Sequence, residues 1–146
     1  MRIFVWGPEY ELGEPLIDDQ HREWFRRVQA LFEGLETGGV ASISAVDLLE
    51  AAASYTTDHF KLEELMLRAA RYPDLQAHLE KHRALSEKVS TLLAAARSGD
   101  PTAPLEAAQF LAKWITGHIK TADRAYMAWM NGPRDSAKAS TGWGPG

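Results

Sequence analysis

The sequence predicts an all-α protein: an up-down-up-down four-helix bundle with an N-terminal arm and a flexible C-terminal tail. Three observations lead there. Apolar residues recur at helical spacing in four long segments, no segment alternates as a half-buried strand would, and short Gly/Pro breaks separate the segments. Short connections make consecutive helices antiparallel neighbours. A chain of 146 residues, 45% hydrophobic and 25% charged, suits one domain with a sizeable core. We assign residues 1–133 to the bundle and 134–146 to the tail.

Residues 1–16 hold too much Pro, Gly and Glu for a helix, and read as an arm packed along the bundle through Phe4, Val5, Trp6 and Leu16. Asp18 is the expected N-cap of the first helix, whose stripe is His21, Phe25, Val28, Phe32 and Leu35. After the Gly38-Gly39 break, Ser44 with Asp47 resembles a capping box. The second stripe is Leu49, Ala52, Thr56, His59, Glu63, Met66 and Ala70. Tyr72-Pro73 ends it, and Pro73 suits the first turn of a third helix carrying Leu75, His78, His82, Leu85, Val89 and Leu92. Asp100 as a cap and Pro101 in the first turn open the fourth, with Leu111, Trp114 and His118 beside Ile115 and Ile119. Asn131-Gly132-Pro133 closes it. The tail beyond is Gly/Ser/Pro-rich, and its Trp143 reads as a solvated aromatic.

Composition removes several functions. No apolar run approaches the roughly 20 residues of a membrane span, and the first fifteen residues meet Pro and acids too soon for a secretory leader. The absence of cysteine removes disulfides, thiolate metal sites and thiol catalysis. A net charge of −4 with interspersed signs argues against nucleic acid and anionic lipid as partners. These features predict a reduced, cytoplasmic setting and chemistry based on His, carboxylates or a bound ligand.

All five histidines, His21, His59, His78, His82 and His118, fall on or beside the core stripes. Alternating helix directions bring them toward one end of the bundle. Buried imidazoles without partners cost roughly 1–3 kcal/mol each, and a bound cation removes that cost. Zn, Cu, Fe and Ni all suit imidazole. His78 and His82 at i, i+4 share one helix face, and Glu63 stands at the same spacing from His59. Asp123 is five residues from His118, about 140° around an ideal α-helix, so the two are expected to straddle the core face. Spacing alone does not nominate Asp123. Five nitrogens and two carboxylates are too many for one ion and describe a dinuclear site. Neither Glu-x-x-His nor His-Glu-x-x-His occurs in the chain.

With these residues in place the chain resembles the bacterial hemerythrins (bacteriohemerythrins) of the hemerythrin-like HHE cation-binding family. The matching pieces are Ile17-Asp18-Asp19-Gln20-His21, His59-Phe60-Lys61-Leu62-Glu63-Glu64, His78-x-x-x-His82 and Trp114-Ile115-x-x-His118-x-x-x-x-Asp123. The resemblance implies two Fe ions bridged by an oxo or hydroxo group, with O2 as ligand. It places His78, His82 and His118 on one iron, His21 and His59 on the other, and Glu63 and Asp123 across both. Eleven of twelve octahedral positions are then filled, and the vacancy lies on the two-histidine iron. Phe60, Trp114, Ile115 and Ile119 adjoin the implied ligands and suit a dry O2 pocket. Trp24, three residues after His21 where the family usually has Leu or Ile, is the one departure, and an indole there narrows that pocket.

The function implied is reversible O2 binding as carrier, store or delivery protein, with no catalytic residues. The alternatives are an O2 or redox sensor, or a nitric-oxide or iron-handling protein. Tyr55 and Tyr126 are the only spare proton donors near such a site and read as core or rim residues. An O2-consuming enzyme is the expected recipient, and no exposed stripe calls for more than a monomer.

Overall fold

The computed structural model describes residues 4–36 and 44–132. The Gly38-Gly39 break, Pro133, the tail 134–146 and Trp143 lie outside the described residues. Four long helices follow a 3-10 turn at Pro8–Tyr10: α1 (Pro15–Glu36), α2 (Ala45–Ala69), α3 (Leu75–Arg97) and α4 (Ala103–His118). A π-helical segment, Ile119–Asp123, continues α4 into α5 (Arg124–Asn131). Each long helix packs against the next, and α4 closes back on α1. The described residues are helices and connections, without a strand. No described helix is long and apolar enough to cross a membrane.

The buried stripes follow the sequence periodicity closely. His21, Phe25, Val28 and Phe32 of α1 meet Leu49, Ala52, Thr56 and His59 of α2, with Leu85 and Val89 of α3 and Leu111 and Ile115 of α4 completing the interior. The arm packs as expected through Phe4, stacked on Phe25 at 4.1 Å between centroids, and Trp6, edge-on to the same ring at 5.1 Å. Val5 and Leu16 depart from expectation and are half exposed, at 54% and 51%. Phe4 and Trp6 share Phe25 and turn Val5 outward, while Ile17 takes the core position beside Leu16.

Helix starts differ from expectation in detail. The Ser44 hydroxyl accepts from the Asp47 N–H as the capping box requires. Asp18 lies inside α1 and is not its N-cap; its carboxylate accepts from the Leu12 and Gly13 N–H groups, fastening the arm to the helix. Glu14 instead satisfies an orphan donor of the first turn, the Ile17 N–H. Pro73 and Pro101 precede α3 and α4, because Asp74 and Thr102 are the residues that turn the chain into each helix. Asp100 accepts from the N–H and hydroxyl of Thr102 in the connecting turn. Gly99, at φ +99, supplies the left-handed residue that ends α3.

A candidate dinuclear metal centre

The bundle interior is interrupted at one level by seven titratable side chains, at most 6% exposed: His21, His59, Glu63, His78, His82, His118 and Asp123. They come from all four long helices and from the π segment. All five imidazoles present Nε2 to the centre. Glu63 and Asp123 lie between two groups of rings, and each points one oxygen at each group. On one side His78 Nε2 and His82 Nε2 stand 2.8 and 3.0 Å from Glu63 Oε1. His118 Nε2 and His78 Nε2 stand 3.0 and 3.3 Å from Asp123 Oδ1. On the other side His59 Nε2 is 3.4 Å from Glu63 Oε2, and His21 Nε2 is 3.3 Å from Asp123 Oδ2. The His21 and His59 Nε2 atoms are 3.1 Å apart. Two groups of possible ligand atoms result, each within 4.8 Å, and both contain Glu63 and Asp123.

Asp123 reaches this place because the helix changes type. In a regular α-helix it would lie well around the cylinder from His118. The π segment hydrogen-bonds i to i+5 and takes up one extra residue, so positions five apart stack. The expected straddling of the core face is therefore replaced by direct contact between the two side chains.

Groups behind the rings fix their orientation. His59 Nδ1 donates to Gln20 Oε1 at 2.7 Å, and His82 Nδ1 donates to Glu64 Oε2 at 2.9 Å, which leaves each Nε2 lone pair facing the centre. Phe60 stacks on His82 at 3.7 Å, and Trp114 stacks on His118 at 4.1 Å. The Tyr126 hydroxyl donates to Glu63 Oε2 at 3.0 Å. Tyr55 donates to the Gln20 carbonyl at 3.1 Å. Trp24 is fully buried, its centroid 5.0 Å from that of His59, and its indole N–H donates to Thr56 Oγ1 at 2.7 Å. Ile115 and Ile119 are fully buried in the same core.

The electrostatics are those of two anions held among imidazoles. Burial favours the neutral acid of Glu63, but His59, His78 and His82 outweigh it and hold the carboxyl well below its ordinary range. Burial and the charge of Glu63 push Asp123 the same way, and His118 and His21 reverse this. His78 loses solvation, yet the carboxylates of Asp123 and Glu63 beside it raise it to about 9. Burial pushes His59 down and keeps its ring neutral. Burial, with Glu63 and Asp123 nearby, pushes the Tyr126 phenol well above its ordinary value, so it remains a donor.

The donor set fits a metal. His82 Nε2, His118 Nε2 and both oxygens of Asp123 are buried without a hydrogen bond of acceptable geometry. Such atoms cost free energy unless something else satisfies them. Ligand atoms about 2.1 Å from one ion and at right angles lie about 3.0 Å apart, close to the contacts measured here. Nitrogen and carboxylate donors without sulfur suit a first-row divalent ion.

Residues 12–130 match the hemerythrin HHE cation binding domain. The chain belongs to the hemerythrin family. A bacteriohemerythrin of Stenotrophomonas maltophilia is 27% identical over 126 residues, covering 86% of this chain and 80% of that protein. A bacteriohemerythrin of Clostridium acetobutylicum is 29% identical over 128 residues, covering 86% and 99%. Myohemerythrin-1 of Phascolopsis gouldii is 28% identical over 123 residues, covering 84% and 91%. In this hemerythrin-family chain the seven polar residues singled out from the sequence all meet at the centre. Sequence reasoning missed the positioning roles of Gln20, Glu64 and Thr56, and the bond from Tyr126 to Glu63. Gln20 and Glu64 carried a usable signal, since each is the immediate neighbour of a site residue.

Proposed function

We propose that this hemerythrin-family chain holds two irons and binds O2 reversibly. The carrying observation is the division of oxygens: Glu63 and Asp123 each turn one oxygen to His78, His82 and His118, and the other to His21 and His59. That is the arrangement two shared carboxylates need to hold two ions side by side. When bound, the iron pair supplies the electrons that make O2 binding strong and reversible. His78, His82 and His118 would hold one ion and His21 and His59 the other, so the spare position falls on the two-histidine side.

The chain's own residues support binding in place of turnover. Trp24, Phe60, Ile115 and Ile119 keep water from the site, while Trp114, expected with them, is only half-buried and covers His118 on the three-histidine side. Trp24 and His59 are neighbours, which puts the indole beside the two-histidine half. The Tyr126 hydroxyl is committed to Glu63 and the Tyr55 hydroxyl to the Gln20 carbonyl, and no histidine is left over as a proton donor. The use we infer is carriage, storage or delivery of O2 to a consuming enzyme.

The test is iron per chain together with visible absorption through cycles of anaerobic reduction and re-exposure to air. We expect close to two irons and a visible band that fades without O2 and returns with it. One iron per chain, zinc after growth in iron-replete medium, or oxidation that does not cycle would overturn the proposal.

A further inference from the structure

A cleft of about 550 Å³ opens between α3 and α4 directly against the centre. Its floor is Phe110, Trp114 and His118, and its rim carries Lys81 and Lys113. It is open at Gly117, where an added Cβ would meet no atom within 4 Å. Trp114 is half-buried, lines the cleft, and stacks on His118 at an interplanar angle of 16°. Neither lysine has an ion-pair partner among the described residues, whereas nearby Lys88 is paired with Glu106.

Each part specifies something about an occupant. The volume lies within the range of small-ligand sites, roughly 300–1,000 Å³. The aromatic floor favours a flat ring system, and two unpaired ammonium groups favour a negative charge beside it. The cleft's location says what such a molecule could do. It touches the three-histidine half of the centre, whereas Trp24 covers the two-histidine half. An occupant would therefore exchange electrons through Trp114 and His118 without competing for the spare coordination position.

We propose that this cleft is the reductant site of the protein, and that it takes a planar aromatic anion of the flavin mononucleotide kind. The inference rests on the two-iron reading above. One dihydroflavin gives two electrons to two ferric ions, yielding two ferrous ions, oxidised flavin and two protons released to solvent. The protein would thus be returned to its O2-binding form at a face separate from the one O2 uses.

The experiment titrates oxidised flavin mononucleotide, which cannot reduce the protein, into the iron-loaded chain and follows flavin and tryptophan fluorescence. Riboflavin, which lacks the phosphate, is the comparison. Saturable binding is expected, weakened at least about tenfold by Gly117→Leu, which fills the cleft, and by Lys113→Glu, which reverses one rim charge. Riboflavin should bind more weakly than the mononucleotide. Stopped-flow reduction of the ferric protein by dihydroflavin should saturate with flavin in the parent and lose saturation in both variants. Lys113→Glu changes only an exposed side chain, which keeps the test valid should Gly117→Leu misfold. No binding at millimolar flavin, equal affinity in parent and Lys113→Glu, or a reduction rate linear in flavin for all forms would overturn the proposal. Iron content and the O2-dependent band of the same samples report separately on the two-iron reading.

Discussion

Trp24→Leu is the substitution that isolates what the indole does. Trp24 is fully buried, and any molecule reaching the two-histidine half past it must displace the ring. Displacement breaks the hydrogen bond to Thr56, about 1 kcal/mol, and two aromatic contacts, edge-on to Phe60 and tilted against His59, each about 0.5–1.5 kcal/mol. The sum is roughly 2–4 kcal/mol of barrier, so leucine should speed O2 release by about thirty- to nine-hundredfold. The fold should survive, because the cavity costs about 2–3 kcal/mol against a typical total of 5–15. Thr56 also keeps its own bond to the Ala52 carbonyl, so no buried donor is orphaned. Stopped-flow release of O2, with iron content and urea unfolding on the same preparations, measures all three quantities. Release within about twofold of the parent at unchanged iron content would refute the reasoning, and so would faster release explained by lost iron.

Tyr126→Phe removes a buried donor to a carboxylate and should cost the metal-free protein about 1.5–3 kcal/mol in urea unfolding; a loss below about 0.5 kcal/mol would show that the bond carries little. Glu64→Gln leaves the fold intact but weakens the grip on His82 Nδ1, and should lower zinc affinity of the metal-free protein by about 10–100-fold, read by competition with a chelating dye. In the metal-free protein the raised His78 contributes stability that is complete below its ordinary value near 6.5 and is lost as pH climbs through about 9. The lowered Glu63 and Asp123 contribute stability present above the ordinary carboxylate range and lost as pH falls. Unfolding free energy should therefore decline between pH 6.5 and 9 and again below about pH 4; a curve rising across the upper interval would contradict the His78 assignment.

Most of the bundle and six of the seven site residues were legible because helical period and burial coincide here. His21, His59, Glu63, His78, His82 and His118 interrupt otherwise apolar stripes, and a polar residue on a core stripe stands out against its neighbours. Asp123 did not stand out, since its position makes sense only once the helix after His118 is underwound, and nothing in Ile119–Asp123 announces a π turn. Gln20 and Glu64 lie just off the stripes, where side-chain reach decides what they touch, and periodicity does not report reach. The role of Asp18 was misread for a related reason. A carboxylate near a helix start can cap the helix or fasten the chain before it, and only the path of the arm selects between them.

The π segment also ties two parts of the molecule to a match between helix type and residue count. Winding Ile119–Asp123 as regular α-helix with its five residues kept would turn everything beyond it by about 100°. Asp123 would leave the centre, and Tyr126 would swing away from Glu63 together with its packing against Leu67 and Tyr72. Removing one residue along with the π turn would offset that rotation, since side chains four apart stack on an α-helix as those five apart do here. Within this stretch the lettering at exposed positions such as Lys120 and Thr121 is freer than the pairing of length with winding.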